Sequence, residues 1–276
     1  MTRARHPAGD VADLARQVRA HLGRVRESRW PGFDAPKPAA GTEPAPSHPS
    51  PPPGRRAAPR PAPPAAAPAA ARPAAAPPGW DSLDAIAAAA ATCTKCPLHA
   101  TRTRAVPGEG NPRARLMFVG EAPGADEDAQ GRPFVGAAGK LLDRMIVAMG
   151  LAREEVFIAN VLKCRPPGNR DPQPPEAAAC LPYLRAQIAL IRPEVICALG
   201  RHAAHALLGT QEALGRLRAR FHDFGGTPLL VTYHPSYLLR TPADKTKAWK
   251  DLQIVMKRLG LSAPVQNPDP DVWGPR

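Results

Sequence analysis

The sequence predicts an α/β domain with a central, mostly parallel four-stranded sheet flanked by helices. Three observations carry this. Apolar runs at 116–119, 156–158, 195–199 and 229–231 are short and rich in β-branched or aromatic residues, as buried strands are. Helical patterns lie between and after them, at 137–149, 175–191, 202–208 and 243–259. Strands that alternate with helices give a parallel sheet covered on both faces. The third observation is where the prolines are. Residues 31–79 hold 17 of the 37 prolines and 16 alanines, so this stretch has little large apolar surface to offset the entropy of ordering. The 197 residues from Trp80 onward are enough for one domain with a proper core.

Taken in order, residues 1–30 contain a short amphipathic basic helix. Val11, Leu14, Val18, Leu22 and Val25 recur at steps of three and four, with Arg16, Arg19, Arg24, Arg26 and Arg29 on other faces. Residues 31–79 form a Pro/Ala-rich disordered linker, locally polyproline-like. This N-terminal region offers a tether or a contact for a protein partner. Asp81 or Ser82 can cap a helix running to Ala91. The strand–helix succession then occupies 80–260, and 261–276 is a tail.

The chain carries 37 basic and 24 acidic side chains, for a net charge of +13. Both the N-terminal 79 residues (+7) and the remainder (+6) are basic, so the bias is not confined to a tail. A polyanion partner follows, with nucleic acid favoured over a membrane surface. No run approaches the roughly 18 apolar residues that a membrane helix needs, and the N-terminal residues lack the apolar stretch of a secretory leader. The expected location is therefore the cytoplasm, close to the nucleoid. In a reducing compartment five cysteines point to metal binding or catalysis rather than disulfides.

Open parallel sheets bind ligands beyond the carboxyl ends of their strands. Glu121 follows the first strand, Asn160 the second and His234 the last, so a carboxylate, an amide and an imidazole converge on one sheet edge. Together they can read a polar heterocycle, polarise it and hold a water. Phe134, in the glycine-rich turn Gly131–Gly139, offers a stacking face. In His234-Pro-Ser-Tyr-Leu-Leu-Arg240, Leu238 and Leu239 lie between the histidine and Arg240. An apolar wedge there can fill the gap left by an extruded base while the arginine holds phosphate. Lys163, Arg165 and Arg170 supply further phosphate contacts. Cys93-Thr-Lys-Cys96 is a chelating turn, and Cys164 and Cys180 complete a set of four thiolates. Cys197, inside a strand, reads as core. Ligand count and spacing suit zinc and an iron–sulfur cluster equally.

Taken as a set, GEAPGADEDAQGRPFVGAAGKLLDRM, NVLKCRPPGNRDP, the four cysteines and HPSYLLR resemble the family-four uracil-DNA glycosylases, the bacterial and archaeal iron–sulfur type, over residues 80–260. The resemblance implies a monofunctional enzyme, monomeric, that removes uracil from single- and double-stranded DNA and leaves an abasic site. It implies a structural [4Fe–4S] cluster on Cys93, Cys96, Cys164 and Cys180. Phe134 would stack on the flipped uracil and Asn160 would hydrogen-bond its polar edge. Glu127 would stand near the base's C5 and reject thymine, Glu121 would lie near the attacking water, and His234 would stabilise charge on uracil O2. Ala122 stands where classical uracil-DNA glycosylases have an aspartate, a feature the family shares. A sister group traps the abasic sugar on a histidine. The matching stretch here, Arg165–Pro172, has none, so covalent trapping is not expected. The rival readings are a glycosylase for another deaminated base such as hypoxanthine, and a non-catalytic cysteine–metal DNA-binding protein.

Overall fold

The structure, a computed structural model, describes residues 79–262. The predicted N-terminal helix and linker, and nearly all of the tail, lie outside the described residues. Among the described residues no helix is long and apolar enough to cross a membrane.

The four expected strands are present as β2 (Leu116–Gly120), β3 (Phe157–Asn160), β4 (Val195–Leu199) and β6 (Thr227–Thr232), with β3–β2–β4–β6 parallel throughout. Two short antiparallel edge strands extend the sheet to six, in the order β1–β3–β2–β4–β6–β5. β1 is the pair Glu109–Gly110, and β5 (Phe221–Phe224) turns back onto β6 through Gly225 and Gly226. Both glycines have positive φ, 58° and 90°, which a tight hairpin of this hand requires. In the outer antiparallel pairs the edges of the sheet are short, which limits pairing with other chains.

Period-two alternation sorts each strand between two cores. Leu116, Phe118, Ile158, Val195, Cys197 and Leu199 face one side. There they meet α3 (Ala137–Ala148) through Leu141, Leu142 and Met145, and α8 (Lys245–Leu259) through Ala248, Leu252 and Val255. Met117, Val119, Phe157, Ala159, Ile196 and Ala198 face the other side, against α4 (Pro174–Ile191) and α5 (Arg201–Leu208). Cys197 is thus the core residue its strand position predicts. The helix α1 (Leu83–Ala91) is capped by Ser82, whose side chain accepts from the amide of Ala85, and it packs on α4 through Ile86, Ala90 and Tyr183. Short helices α2 (Ala125–Gln130), α6 (Leu214–Leu217) and α7 (Pro235–Arg240) lie in the connections.

From β2 the chain pairs outward to β3 on one side and, later, to β4 on the other. The topological switch point is therefore the crevice between the carboxyl ends of β2 and β4, where open α/β sheets take their ligands.

Candidate active site

A cavity of about 680 Å³ opens at that crevice. Glu121, Glu127, Phe134, Asn160, His234 and Arg240 all line it. The fold thus brings together every side chain expected to hold or attack the base.

The loop from Pro123 to Gly136 forms one wall and is held by Glu127. One carboxylate oxygen accepts from the amides of Val135 (2.9 Å) and Gly136 (3.0 Å), and the other from Gly124 (3.1 Å). Glu127 therefore lines the cavity with both oxygens already engaged, and its geometry is that of a loop clamp. The clamp holds Phe134 with φ at +52°, a left-handed backbone rare outside glycine. Gly139 makes this possible, since a Cβ there would lie 1.9 Å from the Phe134 carbonyl oxygen. Gly120 is equally constrained: its Cβ would lie 2.3 Å from Asn160 Oδ1 and 2.5 Å from the Phe134 ring. Glycine at the end of β2 lets the ring and the amide pack closely against its backbone.

Asn160 ends β3 and is 1% exposed. Its Oδ1 is buried and finds no hydrogen-bond partner among the described residues. Buried acceptors are nearly always satisfied, and an orphan at the wall of a cavity is a site for a donor from a ligand. His234 caps α7, with its ring tilted 33° to Phe134 and the centroids 5.7 Å apart. Its Nδ1 accepts from the Ser236 amide at 3.1 Å, which leaves the proton on Nε2. Burial, aided by Arg240, pushes the His234 pKa down to about 4, so the ring is neutral at physiological pH.

Glu121 sits where β2 leaves the sheet. Burial, followed by the charge of Asp171, raises its pKa to about 7, and Arg201 only partly opposes this. Its Oε2 is 3.9 Å from His202 Nε2, which also approaches Asp171 Oδ2 at 3.1 Å. Asp171, Arg201 and His202 belong to the site and were missed from sequence. Arg201 and His202 follow β4 directly, so the strand-end rule that found Glu121 and His234 would have found them too.

Two expected DNA contacts are corrected. Lys163 is not at the surface. It is 1% exposed, and its Nζ donates to the Asn160 carbonyl and to Gln187 Oε1, each at 2.8 Å. Leu238 is fully buried in the core and is not available as a wedge, while Leu239 is 41% exposed on α7. Arg240 is exposed at the cavity rim, and Arg165 is half-buried, its Nε donating to Asn169 Oδ1 at 2.8 Å. The Arg170 guanidinium is paired with both oxygens of Glu176, so its charge is already compensated.

Away from this site, Cys93, Cys96, Cys164 and Cys180 line one small cavity between the chelating turn and α4. Arg102 Nη1 donates to Cys164 Sγ at 3.0 Å, and the Lys163 amide donates to Cys180 Sγ at 3.4 Å. Four sulfurs around one small space, with N–H donors aimed at two of them, fit a cluster held by thiolates.

A doubly wound sheet with a cavity walled by Glu121, Phe134, Asn160 and His234 at its switch point defines the class. The chain belongs to the uracil DNA glycosylase superfamily, whose family model matches residues 107–253. Within it, the Type-4 uracil-DNA glycosylase of Saccharolobus solfataricus is 47% identical over 188 residues, covering 65% of this chain and 87% of that protein. The Type-4 enzyme of Thermotoga maritima is 49% identical over 157 residues, 56% of this chain and 82% of the relative. A Type-5 uracil-DNA glycosylase of Thermus thermophilus is 36% identical over 158 residues, 48% and 69% of the two chains. The family resemblance read from the motifs is thus correct, and the type-4 relatives are the more similar branch.

Proposed function

We propose that this chain is a DNA-repair glycosylase that hydrolyses the N-glycosidic bond of uracil in DNA and leaves an abasic site. The observation that carries the reading is the unsatisfied Oδ1 of Asn160, facing the same cavity as the Phe134 ring and a neutral His234. A flipped pyrimidine places its ring against Phe134 and its N3–H within reach of Asn160 Oδ1, as base-flipping enzymes require. The C1′–N1 bond then breaks with its electron pair passing to the base. Charge gathers on O2, where the Nε2–H of His234 donates to it, and the sugar becomes cationic. The Glu121 carboxylate faces that cation, orients a water and accepts its proton as oxygen bonds to C1′. Uracil leaves as the anion and is protonated by solvent. Leu239 fills the vacated stack, while Arg240 and Arg165 hold phosphate.

The four cysteines are read as the ligands of a [4Fe–4S] cluster, which when bound supplies a structural cross-link between the chelating turn, the loop after β3 and α4. Purified protein is expected to be brown and to absorb near 400 nm. Stripping its iron is expected to lower the melting temperature and abolish that band together. A colourless, zinc-loaded protein of unchanged stability overturns this assignment.

The test of function is release of base from a labelled oligonucleotide carrying one uracil, read by alkaline cleavage. Matched oligonucleotides carrying hypoxanthine or thymine run alongside. Cleavage of the uracil strand alone is expected. Asn160→Ala, which removes the orphan acceptor, is expected to lower kcat/KM by about a hundredfold, since a site built around a hydrogen bond loses most when the pair cannot form. A folded, iron-loaded protein that cleaves only hypoxanthine, or nothing, removes the uracil reading.

A further inference from the structure

Lys163 is a polar side chain buried away from solvent and from DNA, and base excision as described above gives it no task. Its surroundings connect two sites that the motifs treat separately. At its backbone, the amide donates to Cys180 Sγ, the carbonyl accepts from the Val106 amide at 2.7 Å, and the next residue is Cys164. The side chain folds back three residues, and Nζ donates to the Asn160 carbonyl and to Gln187 Oε1. Gln187 is itself fixed, its Nε2 donating to the Pro107 carbonyl at 2.7 Å. The residues between are tied to the other catalytic strand: the Val161 amide donates to Gly120 O and the Leu162 amide to Glu121 O, each at 3.0 Å. Segment 160–164 is therefore one braced piece, with the cysteine cage at one end and Asn160 and Glu121 at the other.

We infer that Lys163 is a positioning residue, a strut by which the cysteine cage sets the placement of Asn160, so that the cage forms part of the apparatus that recognises uracil. The inference rests on the uracil reading above and deepens it. A strut of this kind works through its hydrogen bonds. Methionine has similar length and no donor, so Lys163→Met leaves the Asn160 carbonyl and Gln187 Oε1 buried without a partner.

The experiment uses the full-length, iron-loaded chain. Iron per chain and the 400 nm band are measured first, then the Kd for free uracil, kcat and KM on the single-uracil oligonucleotide, and hydrogen–deuterium exchange of peptides spanning 157–162. In Lys163→Met we expect uracil to bind about tenfold more weakly, the scale of one lost buried hydrogen bond. We also expect faster exchange over 157–162, with iron content unchanged. Wild-type uracil affinity and exchange in an iron-loaded variant overturn the strut. If the variant comes out without iron, Gln187→Met gives the same readings from outside the cage. A loss of about threefold in uracil affinity is then expected, since only one of the two Nζ acceptors is removed, and no loss overturns the inference. Should wild-type protein neither cleave nor bind uracil, the functional reading fails by itself. Faster exchange over 157–162 in Lys163→Met would still establish the strut.

Discussion

His234→Ala is expected to lower kcat by about two to three orders of magnitude, as loss of one preorganised donor to a developing oxyanion does. The donor is preorganised because Ser236 occupies Nδ1 and the buried ring stays neutral, with its pKa near 4, so Nε2 carries a proton across the whole neutral range. A neutral donor suits this step. Its hydrogen bond strengthens as O2 gains charge, whereas an imidazolium would be costly to bury before the base arrives. Two checks separate catalysis from structure. His234 is also the cap of α7, so the variant loses about 1 kcal/mol of stability from the missing cap, visible as a small fall in melting temperature. And because the ring does not titrate near neutrality, the shape of the pH–rate profile is expected to stay as in wild type while the whole curve drops. A profile that changes shape would place a titrating histidine in the reaction instead.

The second large effect is at Glu121. With a pKa of about 7, its carboxyl is protonated below that pH and cannot take a proton from water, so kcat is expected to fall as pH falls through about 7. Glu121→Gln should remove this acid limb and lower the plateau by about a thousandfold, within the range of a general base. Asp171→Asn removes the like charge that helps hold the pKa up, so the limb is expected to move to lower pH with the plateau largely kept. Stability should run the other way. A carboxyl whose folded pKa lies above its unfolded value favours the fold below the unfolded pKa, and that contribution is lost as pH rises through the folded one. At pH 8 Glu121→Gln is therefore expected to melt higher than wild type, a trade of activity for stability. A Glu121→Gln variant that keeps its acid limb assigns the limb to another group.

Much of this site was readable because the reading followed the sheet. Four apolar runs gave four parallel strands, and the polar residue after three of them proved to line one cavity. The parts that stayed hidden have separate physical reasons. β1 is two residues long, too short for any periodicity. β5 is half-polar, and its Gly225-Gly226 turn, a fair hairpin signal, followed no strand-like apolar run. Lys163 is followed by a cysteine and an arginine and so reads as part of a basic loop, because nothing local says that the chain there is wrapped inward onto α4. Leu238 and Leu239 are adjacent on a six-residue helix, where two neighbouring leucines cannot be ranked by period, and packing decided which one faces solvent. Asp171, His202 and Glu121 are 31 or more positions apart in the chain, and only the switch-point crevice unites them.

The loop clamped by Glu127 has a bearing on how such an enzyme searches a genome. Three amides fixed by one carboxylate, and a phenylalanine held in a left-handed turn that the bare Gly139 permits, mean that the receiving wall stands complete before any base enters. Each base that swings out meets a finished template, and its dwell time depends on fit alone, with no wait for the protein to rearrange. An undamaged base can then be returned to the helix as quickly as it left. Rapid rejection of this kind lets one rare uracil be found among a vast excess of ordinary bases.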